Sequence, residues 1–242
     1  MENKQEALFS IQNLKKSFPN GFEALSGINL DIHKEVTTLI AGANGSGKTV
    51  LMKILSGLLE ASEGAVYYKG KHLNSYKNLN SLVGLVFQEA DSQILGETVE
   101  EDIAFGPENL KLTKDEIEER VLETLSSLNL NEKKDFPARL LSGGEKRRLA
   151  VAGVLAMGCE TIIMDEPFAN LDWPGVVQVK KIINELREKK INIIILSHDL
   201  EKIIDQIDHI IILNKGKLMA NGSKEDVVKI LAPDWGVKNI QL

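Results

Sequence analysis

The segment 42–49 constrains the fold more strongly than any other part of the chain. It reads GANGSGKT, which matches the pattern Gly-x4-Gly-Lys-[Ser/Thr], and it joins the apolar run 36–42 to a helical pattern that starts at Thr49. Glycines in such a loop let backbone N–H groups turn inward around phosphate oxygens, and the following helix adds its positive end. We therefore expect Lys48 to reach the β- and γ-phosphates of a nucleotide and Thr49 to place a hydroxyl on Mg²⁺. The alternative is a glycine-rich turn with a surface lysine, which the flanking strand and helix argue against.

Two adjacent acids stand at the end of an apolar run. Asp165 is the last residue of the run 161–165, and Glu166 follows it. The carboxyl ends of strands are where α/β sheets bind ligands. Neighbouring residues at a strand end point in different directions, so we expect Asp165 to join the Mg²⁺ shell and Glu166 to act as the general base on the attacking water. A charged loop is the alternative, and the phosphate loop upstream makes it the weaker one. His198 follows another apolar run and is a candidate hydrogen-bond partner of a γ-phosphate, although a histidine there is more often structural.

The order of elements indicates an α/β fold. Short β-rich runs and turn signals, among them Phe18-Pro19-Asn20-Gly21, fill the first third. Nearly all-apolar runs separated by helical stretches follow later, a pattern typical of parallel strands covered on both faces. These runs are 161–165, 191–197 and 208–213. We predict a mostly parallel core sheet, an N-terminal antiparallel β subdomain and an inserted helical subdomain at roughly 90–158, within one domain spanning 1–242.

The predicted helical subdomain rests on three pairs of residues with capping-box spacing. In such a box a Ser or Thr and a Glu three residues later satisfy the unpaired N–H groups of a helix start. The pairs are Thr98 with Glu101, Thr113 with Glu116, and Ser142 with Glu145.

Composition excludes several classes of protein. A net charge of −6 over 242 residues argues against a nucleic-acid binder, whose affinity would depend on a basic surface. The single cysteine, Cys159, excludes a disulfide framework, and its place before an apolar run favours a buried structural thiol. No apolar run is long enough to span a membrane, and the start MENKQEALFS lacks the apolar core of a signal peptide. We expect His33, His72 and His209 to be surface or packing residues.

The segment LSGGE at 141–145 resembles the signature motif of ATP-binding-cassette (ABC) ATPases. The other motifs of that family stand in the family's order and cover nearly the whole chain. They are an aromatic residue (Phe18), the Walker A loop (42–49), Gln88, the signature, Walker B (161–166), Asn170-Leu171-Asp172 and His198. The resemblance implies the P-loop NTPase fold of ABC ATPases, with ATP and Mg²⁺ as ligands.

The resemblance also implies a role for each matching residue. ATP would be bound by Phe18 (stacking on adenine), Gly42, Ala43, Asn44, Gly45, Ser46, Gly47, Lys48, Thr49, Val50 and Gln88. Mg²⁺ would be held by Thr49, Gln88 and Asp165, and catalysis would depend on Glu166, His198 and Lys48. In a head-to-tail dimer, Ser142, Gly143, Gly144 and Glu145 would contact the ATP of the partner subunit, and Asp172 would connect the two sites.

Three positions depart from the family's usual pattern. Glu145 stands where glutamine is commoner, although either side chain can close a capping box on Ser142. The run Pro167–Asn170 replaces the commoner Pro-Thr-x-Gly, and Trp173 stands where proline is common. None of these changes removes a group that takes part in the chemistry, and Glu166 is present, so hydrolysis is expected.

The segment 86–110, VFQEADSQILGETVEEDIAFGPENL, is similar to the same region in the ATPases of energy-coupling-factor importers, including cobalt/nickel and vitamin systems. The resemblance implies a homo- or heterodimer of ATPase subunits at the cytoplasmic face of the cell membrane, as a peripheral protein. It also implies a transmembrane coupling subunit docking near 88–110 and a separate membrane component that binds the substrate. The alternatives are the ATPase of another ABC importer and a soluble ABC ATPase without a transport role.

A physical interpretation of this segment agrees with docking. We expect Thr98 to cap a short helix that Gly106-Pro107 ends, exposing an apolar strip edged by acids. The expected strip is Ile94, Leu95 and Phe105, and the acids are Glu97, Glu100, Glu101 and Asp102. The alternative is a helix that packs its apolar side inward.

The C-terminal region differs from that of many members of this group, which carry an extra segment that adds to dimer contacts. Here the sequence given ends soon after a helix-like run at 223–231 and a Pro-Asp-Trp-Gly turn at 233–236. That segment is absent or short here, as in smaller members of the group, and the mode of subunit pairing stays open at this point.

Overall fold

The structure is a computed structural model that describes residues 6–73, 75–79 and 81–232, together with Trp235 and Val237. The chain forms two compact units, the first made of 1–80 and 192–242 and the second of 81–191. The helical subdomain predicted at 90–158 lies within the second unit, and its bounds remain a prediction.

The first unit contains an antiparallel sheet at the N-terminal end of the chain, as predicted. Its strands are β1 (Ala7–Ser17), β2 (Glu23–His33), β4 (Glu63–Tyr68) and β5 (Lys71–His72), in the order β2-β1-β4-β5. Alternation along β1 buries Phe9 and Ile11. The predicted turn joins β1 to β2, where the N–H of Gly21 donates to the Phe18 carbonyl at 2.9 Å. Gly21 has a φ of 81°, a left-handed conformation that glycine adopts without strain.

The same unit contains a second group of strands, which are mostly parallel. They are β3 (Thr38–Ala41), β8 (Asn192–Ser197), β9 (His209–Asn214) and β10 (Lys217–Ser223). β3 lies between β8 and β9 and is parallel to both, whereas β10 is antiparallel to β9. The continuous apolar runs of β8 and β9 are buried, which confirms the parallel strands predicted from them. Strand β10 is not predictable from its sequence, because KLMANGS has only a three-residue apolar run and no clear alternation.

Two α-helices lie in the described part of the first unit. Helix α1 (Lys48–Leu55) ends four residues before the helical pattern does, because Ser56 caps it and Gly57 follows with a φ of 78°. Helix α6 (Lys224–Ile230) confirms the helix-like run and begins at Ser223, whose hydroxyl accepts from the Asp226 N–H at 3.2 Å. The stretch between β8 and β9 is wrongly predicted as helical, since it contains only a 3-10 helix, Ile204–Gln206. The predicted turn at 233–236 lies outside the described residues, apart from Trp235.

The second unit has two parallel strands and four α-helices. The strands are β6 (Val83–Val86) and β7 (Thr161–Asp165), and the helices are α2 (Val99–Asn109), α3 (Lys114–Ser127), α4 (Gly143–Ala156) and α5 (Trp173–Glu188). All three predicted capping boxes are present, at the starts of α2, α3 and α4. Helix α4 packs closely on β6, since a Cβ at Gly84 would lie 2.0 Å from Val154 Cγ1.

Helix α2 corrects the prediction that Gly106-Pro107 ends it. The helix continues through Pro107 to Asn109, and the Leu110 N–H donates to the Gly106 carbonyl at 3.1 Å. Proline has a helical φ and removes only one backbone hydrogen bond here, two residues before the helix ends. The buried pyrrolidine ring offsets that loss.

The cysteine and three histidines have packing roles, as predicted. Cys159 is buried, and burial raises the pKa of its thiol to about 11. His33 and His209 pack edge to face with ring centres 5.8 Å apart, and His72 packs on Tyr67 at 5.1 Å.

Candidate active site

The loop between β3 and α1 needs glycine at two positions. A Cβ at Gly42, which has a φ of 147°, would lie 2.0 Å from the Leu213 carbonyl oxygen. A Cβ at Gly47 would lie 2.8 Å from the Ala24 carbonyl oxygen. Backbone blocks both positions, so no flexible side chain can move aside for a larger residue. The loop therefore has the tight backbone path that a phosphate cradle requires.

The start of α1 differs from every other α-helix start in the part of the chain that the structure describes. Gly47 occupies the N-cap position and no side chain caps the helix. Helices α2 to α6 are each capped by a side chain, from Thr98, Thr113, Ser142, Asp172 and Ser223 respectively. The first-turn N–H groups of α1 are thus available to an anion, which the positive end of the helix also favours.

Two side chains of the loop also suit a phosphate ligand. Lys48 is 7% exposed, and its Nζ donates to the carbonyl oxygens of Gly42 at 2.6 Å and Ala43 at 3.1 Å. The ammonium is therefore held over the loop. The hydroxyl of Ser46 is buried and has no hydrogen-bond partner among the described residues. Buried polar groups are nearly always satisfied, so this orphaned hydroxyl fits a loop that closes on a ligand.

Phe18 and His198 are the predicted site residues of the first unit that lie outside the phosphate loop and α1. Phe18 is half-buried at the turn between β1 and β2. His198 follows β8 and is exposed, next to the buried Ser197. The Ser197 hydroxyl accepts from the Asp199 N–H at 3.1 Å, which fixes the backbone on either side of the histidine. Asn44, Gly45, Thr49 and Val50 lie within the loop or the first turn of α1.

In the second unit, Asp165 is the last residue of β7 and Glu166 follows it. Both are partly exposed. Glu166 has a φ of 46°, a left-handed conformation that costs a non-glycine residue about 1 kcal/mol. Two features hold Glu166 in this conformation. The Ala169 N–H donates to the Glu166 carbonyl at 3.0 Å, and the Phe168 side chain between them in sequence is buried. Fixed backbone of this kind is a way to aim a side chain at a reacting group.

Helix α4 begins in the predicted signature. The Ser142 hydroxyl accepts from the Glu145 N–H at 3.4 Å, and Glu145 Oε2 accepts from the Ser142 N–H and hydroxyl, each at 2.8 Å. These bonds hold the pKa of Glu145 below its usual value, because they favour its ionised form. Glutamate therefore closes this box in place of the commoner glutamine, as the spacing predicts.

A groove of about 340 Å³ lies beside the start of α4. Ser142, Gly143 and Gly144 line one side, and the start of α5 lines the other. Gln178 of α5 reaches Gly144, where a Cβ would lie 2.0 Å from its Oε1. Asp172 caps α5 by accepting from the Gly175 N–H at 3.0 Å. The predicted communication residue thus has a structural role as a helix cap, which sequence analysis did not identify.

The segment after β6 contains the predicted docking strip. Gln88 is exposed. Leu95 is 63% exposed and Phe105 is 45% exposed, as predicted, whereas Ile94 is half-buried. Asp102 corrects the predicted acidic edge, because it is 7% exposed. Its Oδ1 accepts from the N–H groups of Leu95 at 2.7 Å and Gly96 at 2.9 Å, so it holds the loop that presents Leu95.

Asp102 gives a stability prediction with a matched control. Asp102→Ala leaves the N–H groups of Leu95 and Gly96 without their acceptor and is expected to lower the free energy of unfolding by about 1–3 kcal/mol. Asp102→Asn keeps an acceptor oxygen and is expected to be much milder. Chemical denaturation at pH 7 measures both. Equal losses in the two variants would contradict the acceptor role.

The same pair predicts a pH dependence. Burial raises the pKa of Asp102, so the native state binds a proton more readily than the unfolded chain. The ionised carboxylate is therefore a penalty at neutral pH, and protonation removes it as the pH falls through the raised pKa. The stability of the wild-type chain relative to Asp102→Asn should rise on acidification from pH 7. A fall over that range would contradict the burial account.

Each unit thus carries one part of the predicted site. The first brings together the phosphate loop with Lys48, and it also contains Phe18 and His198. The second contains Gln88, the signature residues, Asp165, Glu166 and Asp172. Among the described residues no group of three or more His, Cys, Asp or Glu side chains is gathered as a metal site.

Comparison with known proteins identifies the family. The model of the family described as ABC transporter matches residues 25–169, which is more than half of the chain. The chain belongs to the ABC transporter family. The match includes the phosphate loop, the signature, and Asp165 and Glu166 at the end of β7. Phe18, Asp172 and His198 lie outside the matched residues.

Relatives place the chain within the family. The chain is 39% identical to the "Energy-coupling factor transporter ATP-binding protein EcfA" of Methanococcus maripaludis, over 91% of this chain and 81% of that protein. It is 40% identical to EcfA1 of Clostridium novyi, over 93% and 82% respectively. The solved structure of cbiO1 from Clostridium perfringens, described as part of the ABC transporter complex cbiONQ, matches with a TM-score of 0.86 and 32% identity, covering 96% of this chain and 98% of that one. The ABC ATPase fold predicted from the motifs is confirmed.

Proposed function

We propose that this chain is the ATP-hydrolysing subunit of an energy-coupling-factor-type ABC importer that takes up a cobalt or nickel ion or a vitamin. The observation that carries the proposal is a complete set of ATPase motifs in a chain about 39% identical to energy-coupling-factor ATP-binding proteins. The uncapped α1 and the buried Lys48 support triphosphate binding. The similarity to a component of the cbiONQ complex supports the cobalt or nickel alternative.

The chemistry proposed for the chain is attack of water on the γ-phosphate of ATP. Glu166 accepts a proton from the water, Lys48 and the first-turn N–H groups of α1 bind the phosphates, and His198 donates a hydrogen bond to the γ-phosphate. Thr49, Gln88 and Asp165 would hold Mg²⁺, which neutralises charge that develops on the phosphate oxygens. Phe18 stacks on the adenine.

The proposed partners follow from the same family. Two ATPase subunits pair so that the signature of each faces the nucleotide of the other. A transmembrane subunit docks near 88–110, and a separate membrane component binds the substrate. In the part of the chain that the structure describes, no helix has the length and apolar character to cross a bilayer. In this proposal the chain is the membrane-associated motor of the complex.

Capture from membranes tests the transport role. The tagged chain, purified in mild detergent from its own cells, should bring down an integral membrane protein. Leu95→Asp should reduce that capture at least about fivefold, since it places a charge in the proposed apolar docking strip. Leu122→Asp is the matched control, because Leu122 is a leucine of α3 that is 47% exposed outside the strip.

Two results would contradict different parts of the proposal. Recovery of ribosomes or DNA with no membrane protein would support a soluble ABC ATPase instead. Equal loss of capture in both leucine variants would remove the docking role of Leu95 and leave the transport role standing.

A further inference from the structure

A second aromatic ring lies beside Phe18 and has no role among the motifs described so far. The rings of Phe18 and Phe22 are nearly parallel, with an interplanar angle of 18° and ring centres 6.4 Å apart. Hydrogen bonds from the backbone N–H groups of both residues fix them at the turn. The Phe18 N–H donates to the Phe22 carbonyl at 2.9 Å, and the Phe22 N–H donates to Asn20 Oδ1 at 3.1 Å. The two rings are therefore presented together by one short hairpin.

Packing of the two rings on each other accounts for only part of this arrangement. Ring centres 6.4 Å apart lie within the range of an offset aromatic pair. The contact nevertheless leaves Phe22 56% exposed and Phe18 only half-buried. An exposed phenylalanine keeps apolar surface in contact with water, which is unfavourable. A ligand that covers the ring removes that surface from water.

The surroundings of Phe18 place the two rings near the phosphate loop. Lys16 Nζ lies over the Phe18 ring, 5.5 Å from its centre, and donates to the Glu60 carbonyl at 2.8 Å, so it is held in place against that ring. The hairpin also packs against the phosphate loop, because the Ala24 carbonyl lies against Gly47. A nucleotide whose phosphates occupy the loop thus has its base close to the hairpin.

We propose that Phe22 is a second base-stacking residue and that the two rings together select purine over pyrimidine nucleotides. The inference rests on the proposed ATPase function. The fused rings of a purine present a larger face than a pyrimidine ring, so a purine can overlap more of the two nearly parallel phenyl groups. Stacking of a base on an aromatic ring depends on the area of overlap and requires no hydrogen-bond readout. Phe22 is in this account a specificity-determining residue.

Equilibrium binding of ATP, CTP and inorganic tripolyphosphate to the purified chain tests the inference. Phe22→Ala should weaken ATP binding about fivefold. Binding of CTP and of tripolyphosphate, which has no base, should stay within about twofold. Phe22→Tyr keeps the ring and should restore ATP binding. In steady-state hydrolysis, Phe22→Ala should raise KM for ATP and leave kcat within about twofold.

The outcomes separate this inference from the proposed function. Unchanged ATP binding by Phe22→Ala would overturn the stacking role. So would equal losses for ATP, CTP and tripolyphosphate, because they would show that Phe22 acts through the shape of the loop. Failure of the wild-type chain to bind ATP at all would overturn the proposed function itself.

Discussion

Glu166→Gln is expected to abolish ATP turnover while leaving ATP binding intact. Glutamine has nearly the same shape but cannot accept the proton of the attacking water, so the rate should fall at least about a hundredfold, the usual contribution of a general base. Glu166 has a left-handed backbone with a φ of 46°, which the substitution is expected to leave unchanged, so the glutamine should occupy the same place. Since ATP would then bind without being cleaved, the variant should accumulate as an ATP-bound dimer.

Phosphate release and size-exclusion chromatography with and without ATP measure the two effects. Glu188→Gln is the matched control, because Glu188 is an exposed glutamate at the end of α5 in the same unit. It should keep wild-type turnover and should not accumulate as a dimer. Normal turnover by Glu166→Gln would remove Glu166 from the role of base, whatever the state of the dimer.

Lys48→Ala is expected to weaken ATP binding by at least tenfold. The ammonium is nearly buried over the phosphate loop, so its charge acts in a site from which water is largely excluded. A hydrogen bond to a charged group contributes about 1.5–3 kcal/mol, which corresponds to about tenfold to a hundredfold in affinity. Binding of a fluorescent ATP analogue measures the loss.

Lys53→Ala is the control for this prediction, because Lys53 is an exposed lysine on the same helix. A second control is needed because Lys48 also donates to the carbonyls of Gly42 and Ala43. The Tm of the nucleotide-free variant shows whether the loop has kept its structure. A well-folded Lys48→Ala chain with wild-type affinity would contradict the phosphate-binding role.

Local sequence signals predicted most of the fold, since the physics behind them is local. A capping box satisfies N–H groups within four residues, so the starts of α2, α3 and α4 follow from short segments alone. The apolar runs predict buried parallel strands in the same way. Strand β10 could not be predicted in this way, because it forms by pairing with β9. The pattern of KLMANGS does not indicate that contact.

The errors in the docking segment have a different cause, which is burial. Proline inside a helix usually ends or kinks it, because it removes a backbone hydrogen bond. At Pro107, burial of the ring close to the end of α2 outweighs the loss of that one bond. Asp102 was expected at the surface because aspartate is rarely buried without partners. Its partners are two backbone N–H groups of a loop, and sequence does not show where a loop folds back.

The candidate site likewise combines features that local sequence predicts with features that depend on tertiary packing. The residue types that bind phosphate and activate water could be predicted from motifs, because each chemistry requires particular groups at a particular spacing. The left-handed backbone of Glu166 and the parallel rings of Phe18 and Phe22 could not, since they depend on how a turn is packed. These features came from the structure alone.

The burial of Cys159 makes the chain well suited to site-directed labelling. With a thiol pKa of about 11, the reactive thiolate is on the order of one part in ten thousand at neutral pH, and the side chain is covered as well. The sequence contains no other cysteine. A cysteine introduced at an exposed position such as Trp173 would therefore be modified alone by a maleimide dye. Pairs of dyes placed in this way could report the approach of two subunits without first replacing the native residue.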